Sequence, residues 1–397
     1  MDVVLPSWSD EAGAQRARAL FLATFGQEPD GVWASPGRVN LIGEHVDYNG
    51  GLCLPMALPH RTFAAVRRRD DDRVRLVSAL DSEQVWAGPL AELAPGSVAG
   101  WVGYAGGPAW ALAKAGHALG GFDAAIDSCV PLGAGLSSSA AIECAVALAL
   151  DELFGWGLAA GDAGRAQLAA ACVRAENEVA GAPTGGMDQA ASLRATAGHA
   201  LLLDTLDHSV AQVPFDLAGA GLQLLVIDTR AEHALVDGQY AARRAACHAA
   251  AERLGVATLR EVADLPSALT ALPDPEQQAR VRHVVSEIGR VEQFAALVRD
   301  GRIREVGPLM DASHDSLRDD YEVSCTELDV AVEAARSAGA LGARMTGGGF
   351  GGSAIALLDA TGQEAVIRAV AGAYRERSWP DPGFLIATPS PGGSRVA

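Results

Sequence analysis

Three stretches of this chain carry residues whose types and spacing could do chemistry. The first is Pro131-Leu-Gly-Ala-Gly-Leu-Ser-Ser-Ser-Ala-Ala141. An alternating apolar run, Ala124 to Val130, precedes it, and an Ala/Leu/Val run from Ala140 to Phe154 follows. That order predicts strand, glycine loop, helix. Such a loop bares backbone N–H groups at the positive end of a helix dipole, a combination that binds phosphate. The hydroxyls of Ser137, Ser138 and Ser139 add donors and one candidate magnesium ligand. A capped helix after a tight turn would use the same residues. The stretch has no lysine of the P-loop kind, has Ser138 where a dinucleotide fingerprint needs its third glycine, and forms no Gly-x-Ser-x-Gly elbow. Lys114 is the only lysine in the chain, so positive charge at a phosphate must come from arginine and a metal ion.

The second stretch, Pro36 to Gly51, holds Arg38, Glu44, His45, Asp47, Tyr48 and Asn49 between apolar segments. Polar crowding of this kind costs stability unless function requires it. Carboxylates spaced as Glu44 and Asp47 suit vicinal hydroxyls, and His45 adds a donor or acceptor. Nothing in the spacing fixes a metal geometry. The third stretch joins Glu176 and Glu178, at the unfavourable C-terminal end of a helix expected over 162–178, to Gly181-Ala-Pro-Thr-Gly-Gly186 and Met187-Asp188-Gln189. Asp188 at a helix start is either an N-cap or a carboxylate that takes or orients a hydroxyl proton. A last glycine cluster, Gly347 to Gly352, implies close backbone approach to a ligand or to another segment.

The elements that must position these residues follow from pattern. Helices are expected over 11–25, 101–119, 140–154, 162–178, 233–255 and 365–377, and through much of 273–338. Strands are expected over 52–69, 73–79, 201–204, 210–215, 221–228, 353–358 and 384–388. A turn is expected at Ser35-Pro36-Gly37. Helix and strand mix without a βαβ beat, which predicts an α+β fold. We place a boundary near residue 210, giving a first domain over 1–210 and a second domain over 211–397, whose last strand could pack back on the first.

The chain has 397 residues and a formal net charge of −18, with no basic stripe to meet nucleic acid or an anionic membrane. Its six cysteines form no Cys-x-x-Cys pair and read as small core residues. The start of the chain has no leader pattern, and no uncharged apolar run reaches membrane length, so a cytoplasmic protein is expected.

Taken together, these segments resemble the GHMP kinase superfamily and, within it, the galactokinase family. Arg38 to Gly51 resembles the galactokinase signature, Pro131 to Ala141 the ATP loop, and Met345 to Ser353 the third motif. Ala175-Glu-Asn-Glu178 leading to Gly186-Met-Asp-Gln189 is similar to the family's magnesium and base segment. Asp228-Thr-Arg230 through His233, Tyr240, Arg243, Arg244 and Cys247 follows a further family stretch. The resemblance implies a ribosomal protein S5 domain 2-like first domain, a ferredoxin-like second domain, and a site between them.

The implied reaction moves a phosphoryl group from magnesium ATP to the C1 hydroxyl of galactose. Asp188 matches the base and Arg38 its partner. Glu44, His45, Asp47, Gly186, Asp188 and Tyr240 match sugar positions. Ser78 and Gly133, Ala134, Gly135, Leu136, Ser137, Ser138 and Ser139 match nucleotide contacts, and Ser139 and Glu176 match magnesium positions. A monomer or weak homodimer is implied. Val46 stands where the family usually has Thr, and Ala241 where it often has Asn. Those departures keep two alternatives in view: a kinase for N-acetylgalactosamine, a uronic acid or arabinose, and a non-catalytic galactose sensor.

Overall fold

A computed structural model describes residues 4–231 and 236–397. Its first layer is a six-stranded sheet built from β1 (Gly31–Asn40), β3 (Pro55–Arg68), β4 (Arg73–Ser78), β5 (Asp81–Pro89), β6 (Phe122–Ser128) and β13 (Ser394–Arg395), in the order β13-β1-β3-β6-β4-β5. All pairs are antiparallel except β4 with β6. Successive residues of a strand face opposite sides. Val32, Ala34, Phe63 and Ala65 therefore pack on α1 (Asp10–Phe25), while Trp33, Ala64 and Val66 pack under α2 (Trp101–Lys114), α3 (Ser138–Leu153) and α4 (Asp162–Ala175). Helix α1 starts on a Ser9 cap that accepts from the Ala12 amide and stops at left-handed Gly26.

The second layer is an antiparallel four-stranded sheet of β9 (Leu222–Asp228), β10 (Gly342–Thr346), β11 (Ser353–Asp359) and β12 (Gly383–Ala387), in the order β10-β11-β9-β12. Leu225 and Ile227 face α6 (Val236–Leu254), α10 (Thr326–Ser337) and α11 (Gln363–Glu376). Leu224 and Val226 face the other way, into a core shared with Val39, Leu41, Met56, and Val291 and Phe294 of α8 (Pro275–Arg299). That shared core fixes the two sheets against each other. Short β2 (Leu52–Cys53), β7 (His199–Asp204) and β8 (Val210–Pro214) form a third sheet. Helices α5 (Met187–Arg194), α7 (Leu265–Ala271) and α9 (Gly307–Asp319) complete the set. Among the described residues no helix is long and apolar enough to cross a membrane.

Three expectations change. Ser35-Pro36-Gly37 is not a turn: β1 runs through it with a register shift between Pro36 and Arg38. The helix expected over 162–178 ends as α-helix at Ala175 and continues as one wide π-helical turn, Glu176–Ala180. The strand near the C-terminus, β12, pairs with β9, and it is the two residues of β13 that return to β1. Part of the helix expected over 233–255, including His233, lies outside the described residues.

Candidate active site

The glycine loop and β1 are joined through one glycine. A Cβ on Gly37 would sit 2.5 Å from the Leu136 carbonyl oxygen, so only glycine lets the loop lie on the strand. The Arg38 amide then donates to that same carbonyl at 3.1 Å. Gly133, Gly135 and Ser137 are left-handed, which turns the loop sharply into α3. The Ser137 side chain caps nothing on its own helix. It donates instead to Asp188 Oδ2.

Asp188 lies in the first turn of α5, whose N-cap is Gly186, so the N-cap role considered for Asp188 falls to glycine. Arg38 Nε donates to Asp188 Oδ1 at 2.7 Å, and Arg38 Nη1 donates to the Gly135 carbonyl at 2.7 Å. Arg38 is buried, with 6% of its side chain exposed against 20% for Asp188. Burial opposes the guanidinium charge, but Asp188 and Glu44 outweigh it and hold Arg38 firmly protonated.

Glu176 is buried by the π-helical turn. It accepts from the Gln189 amide at 2.5 Å and from the Ser139 hydroxyl. Burial, then the charge of Asp188, raises its carboxyl to about 7. Gln189 also donates to the fully buried Glu143 at 3.0 Å.

The sugar-side loop is held by the second layer of the fold. Glu44 accepts from the Gly347 amide at 2.7 Å and lies 3.5 Å from the buried Arg344 guanidinium. Burial lifts its carboxyl above the ordinary range, against the pull of Arg344 and Arg38. From α8, Glu287 accepts from the Gly43 amide at 2.9 Å, and His283 Nε2 reaches the Glu44 carbonyl at 3.1 Å. Arg290, His283 and Arg344 overcome burial and bring Glu287 down to about 2. His45 is left-handed and sits between the Tyr48 hydroxyl and the Gly348 carbonyl. Asp47 abuts Gly185, where a Cβ would meet its Oδ2 at 2.0 Å. Burial, then Asp188 and Glu44, raises Asp47 to about 7.

Two cavities result, of about 960 Å³ and about 140 Å³. The larger runs along Gly133, Gly135 and Leu136 to Ser139 and the Gly348–Gly351 turn. The smaller is walled by Glu44, His45, Asp47, Thr184 and Met187. Arg38, Glu176, Asp188 and Tyr240 line both.

Of the expected residues, Ala134 is buried beneath its loop, with its carbonyl accepting from Ser353 Oγ at 2.7 Å. Ser78, at the end of β4, accepts from the Leu80 amide and lines neither cavity. Gly186 shapes the turn into α5 from behind the cavity wall. Val46 is fully buried in the core, and Ala241 lines only the larger cavity. Neither departure reaches the smaller one. Sequence reasoning missed Glu287, His283, Arg344 and Glu143, and gave Gln189 no role of its own. One signal was available: His283 and Glu287 stand four apart among Val284 and Val291, a polar pair on an apolar helix stripe.

This architecture and the paired cavities are those of a GHMP kinase. The chain matches the models of the GHMP kinase N-terminal domain over residues 104–196 and of the C-terminal domain over 294–376. Residues 19–68 match the galactokinase galactose-binding signature. A galactokinase of Streptomyces coelicolor is 52% identical over 390 residues, which span 97% of this chain and 99% of that protein. One from Bos taurus is 43% identical, across 90% and 91% of the two chains. The crystal structure of Lactococcus lactis galactokinase complexed with galactose superposes with a TM-score of 0.90 at 32% identity, covering 97% of this chain and 99% of that one. A Methanococcus jannaschii mevalonate kinase shares the fold alone, at 16% identity and a TM-score of 0.63. The chain belongs to the galactokinase family and is a sugar kinase.

Proposed function

We propose that the chain transfers the γ-phosphoryl group of ATP to the C1 hydroxyl of D-galactose, giving galactose 1-phosphate and ADP. The observation that carries this reading is the Arg38–Asp188 pair at the junction of the two cavities. One cavity is walled by backbone amides and hydroxyls that suit phosphates. The other is a small polar pocket walled by carboxylates and a histidine that suit a monosaccharide. The Lactococcus lactis relative is a galactokinase solved with galactose.

In this reading Gly133 to Ser139 cradle the phosphates, and Glu44, His45, Asp47 and Tyr240 hold the sugar. Asp188 already accepts from Arg38 and Ser137. It orients the C1 hydroxyl and takes its proton as the new O–P bond forms and the bond from the γ-phosphorus to the bridging oxygen breaks. Arg38 stabilises charge on the transferring group, a task worth ~10³–10⁵ in rate where an arginine performs it.

Magnesium draws most of its ligands from phosphates and water. The Ser139 hydroxyl and the Glu176 carboxyl both line the larger cavity, and they form a sparse oxygen donor set of the kind magnesium uses. Those two residues would hold the ion, which when bound neutralises charge on the β- and γ-phosphates.

A screen of free sugars with magnesium ATP tests the reading. ADP release is expected with galactose. Turnover of N-acetylgalactosamine, a uronic acid or arabinose in its place would overturn the sugar and spare the kinase. Galactose binding without turnover would make the chain a sensor.

A further inference from the structure

His45 is one end of a chain of hydrogen bonds whose direction is forced at each link. Its Nε2 lies 3.1 Å from the Gly348 carbonyl. A carbonyl only accepts, so Nε2 carries the hydrogen. Burial, with His283 close by, drives the imidazole to about 3, so the ring is neutral and Nδ1 is bare. Nδ1 must then accept from the Tyr48 hydroxyl, 2.9 Å away. The Tyr48 oxygen accepts in turn from the Tyr321 hydroxyl at 2.8 Å, and the Tyr321 oxygen lies 3.1 Å from Cys247 Sγ, whose S–H donates to it. Tyr321 is fully buried, and its ring lies between those of His45 and His283, with centroids at 4.9 and 4.4 Å.

We propose that Tyr48 and Tyr321 are positioning residues that donate into Nδ1 of a His45 ring whose Nε2–H tautomer the Gly348 carbonyl sets, so that the ring offers the smaller cavity a donor and never an acceptor. The sugar partner selected at this point is an oxygen with a free lone pair. The Gly348 carbonyl holds the same N–H in the unliganded protein. A sugar oxygen that shares or takes it couples the sugar loop to the glycine turn lining the nucleotide cavity. The inference rests on the sugar-binding role proposed for the smaller cavity, since without it that donor has no ligand to serve.

The test compares Tyr48→Phe, Tyr321→Phe and His45→Ala, using ¹⁵N-histidine NMR and steady-state kinetics. The wild-type His45 signal is expected to show protonated Nε2 and bare Nδ1. Tyr48→Phe, which deletes only the donor, is expected to shift the Nδ1 signal while Nε2 stays protonated, and to raise the sugar KM about tenfold, with kcat and the ATP KM held within about twofold. Tyr321→Phe keeps the ring between the two histidines and is expected to act in the same direction by about threefold. If Tyr48→Phe does not fold, Tyr321→Phe decides by the same two readouts. An unshifted Nδ1 signal and an unchanged sugar KM in either folded variant would overturn this positioning role. An unchanged sugar KM in His45→Ala would instead overturn the sugar-site reading, which separates the two failures.

Discussion

The two cavities are built by opposite means. The nucleotide side is mostly main chain: left-handed glycines, a helix start and three serines within one continuous stretch. The sugar side is mostly side chain, and its loop is pinned by groups more than two hundred residues away, Glu287 and His283 of α8 and Arg344 of β10. A main-chain cradle needs only the right local sequence. A side-chain pocket needs the rest of the fold to be in place before its first residue is aimed.

Arg38 straddles both sides, so Arg38→Ala is the change that should break the contrast. It is expected to lower kcat ~10³-fold or more while changing either KM far less. A fall in kcat/KM matched by an equal rise in the sugar KM, with kcat unchanged, would make Arg38 a binding residue only. Glu287→Ala isolates the sugar side. It leaves the Gly43 amide, Ser313 and Arg290 without their buried partner. The expected loss is ~3–5 kcal/mol of stability, seen in a denaturant melt, with the sugar KM raised and the ATP KM unmoved. A selective rise in the ATP KM would erase the distinction between the two sides.

Gly185→Ala is a finer probe, because the atoms nearest its new methyl are those of the Asp47 side chain, which it displaces. The expected outcome is a sugar KM about tenfold higher with kcat little changed.

The smallest effect is on pH. Asp47 titrates near 7 in the folded chain, well above its ordinary value. The native state therefore binds more protons than the unfolded one between about pH 4 and 7, and stability falls as pH rises through that window. Asp47→Asn should flatten that fall in the protein free of ligands, measured as Tm against pH. An unchanged slope would place Asp47 in a more solvated setting.

The same contrast explains what could be read from sequence. The strand–loop–helix around Gly133 to Ser139 is contiguous, and its pattern predicts both element order and ligand chemistry. Arg38, Glu44, Asp47 and Asp188 stand out because charge placed close to glycines and between apolar segments is costly. Their partners stand out far less. Glu287 carries only the faint signal of a polar pair with His283 on the apolar stripe of α8, and Arg344 is one arginine in a five-residue strand. Only tertiary packing, which brings β10 and α8 against the loop after β1, gives either a role. Ser35-Pro36-Gly37 has turn chemistry, but the pairing of β1 with β3 before and after it overrides that preference and leaves a register shift in place of a turn. Strand β5 escaped for the opposite reason: it is an exposed edge with little apolar alternation to see.

The return of Ser394–Arg395 to β1 makes the larger sheet discontinuous along the chain. Everything from β9 to β12 is, in topological terms, an insertion between the body of that sheet and its last strand. The early residue Val4 bridges Phe384 of the other sheet, so each end of the described chain is stitched to the half it does not belong to by sequence. A cut between β8 and β9 would therefore give two pieces that each carry part of the other's main-chain pairing. Opening the cleft between the halves must work against these two clasps as well as against the shared core.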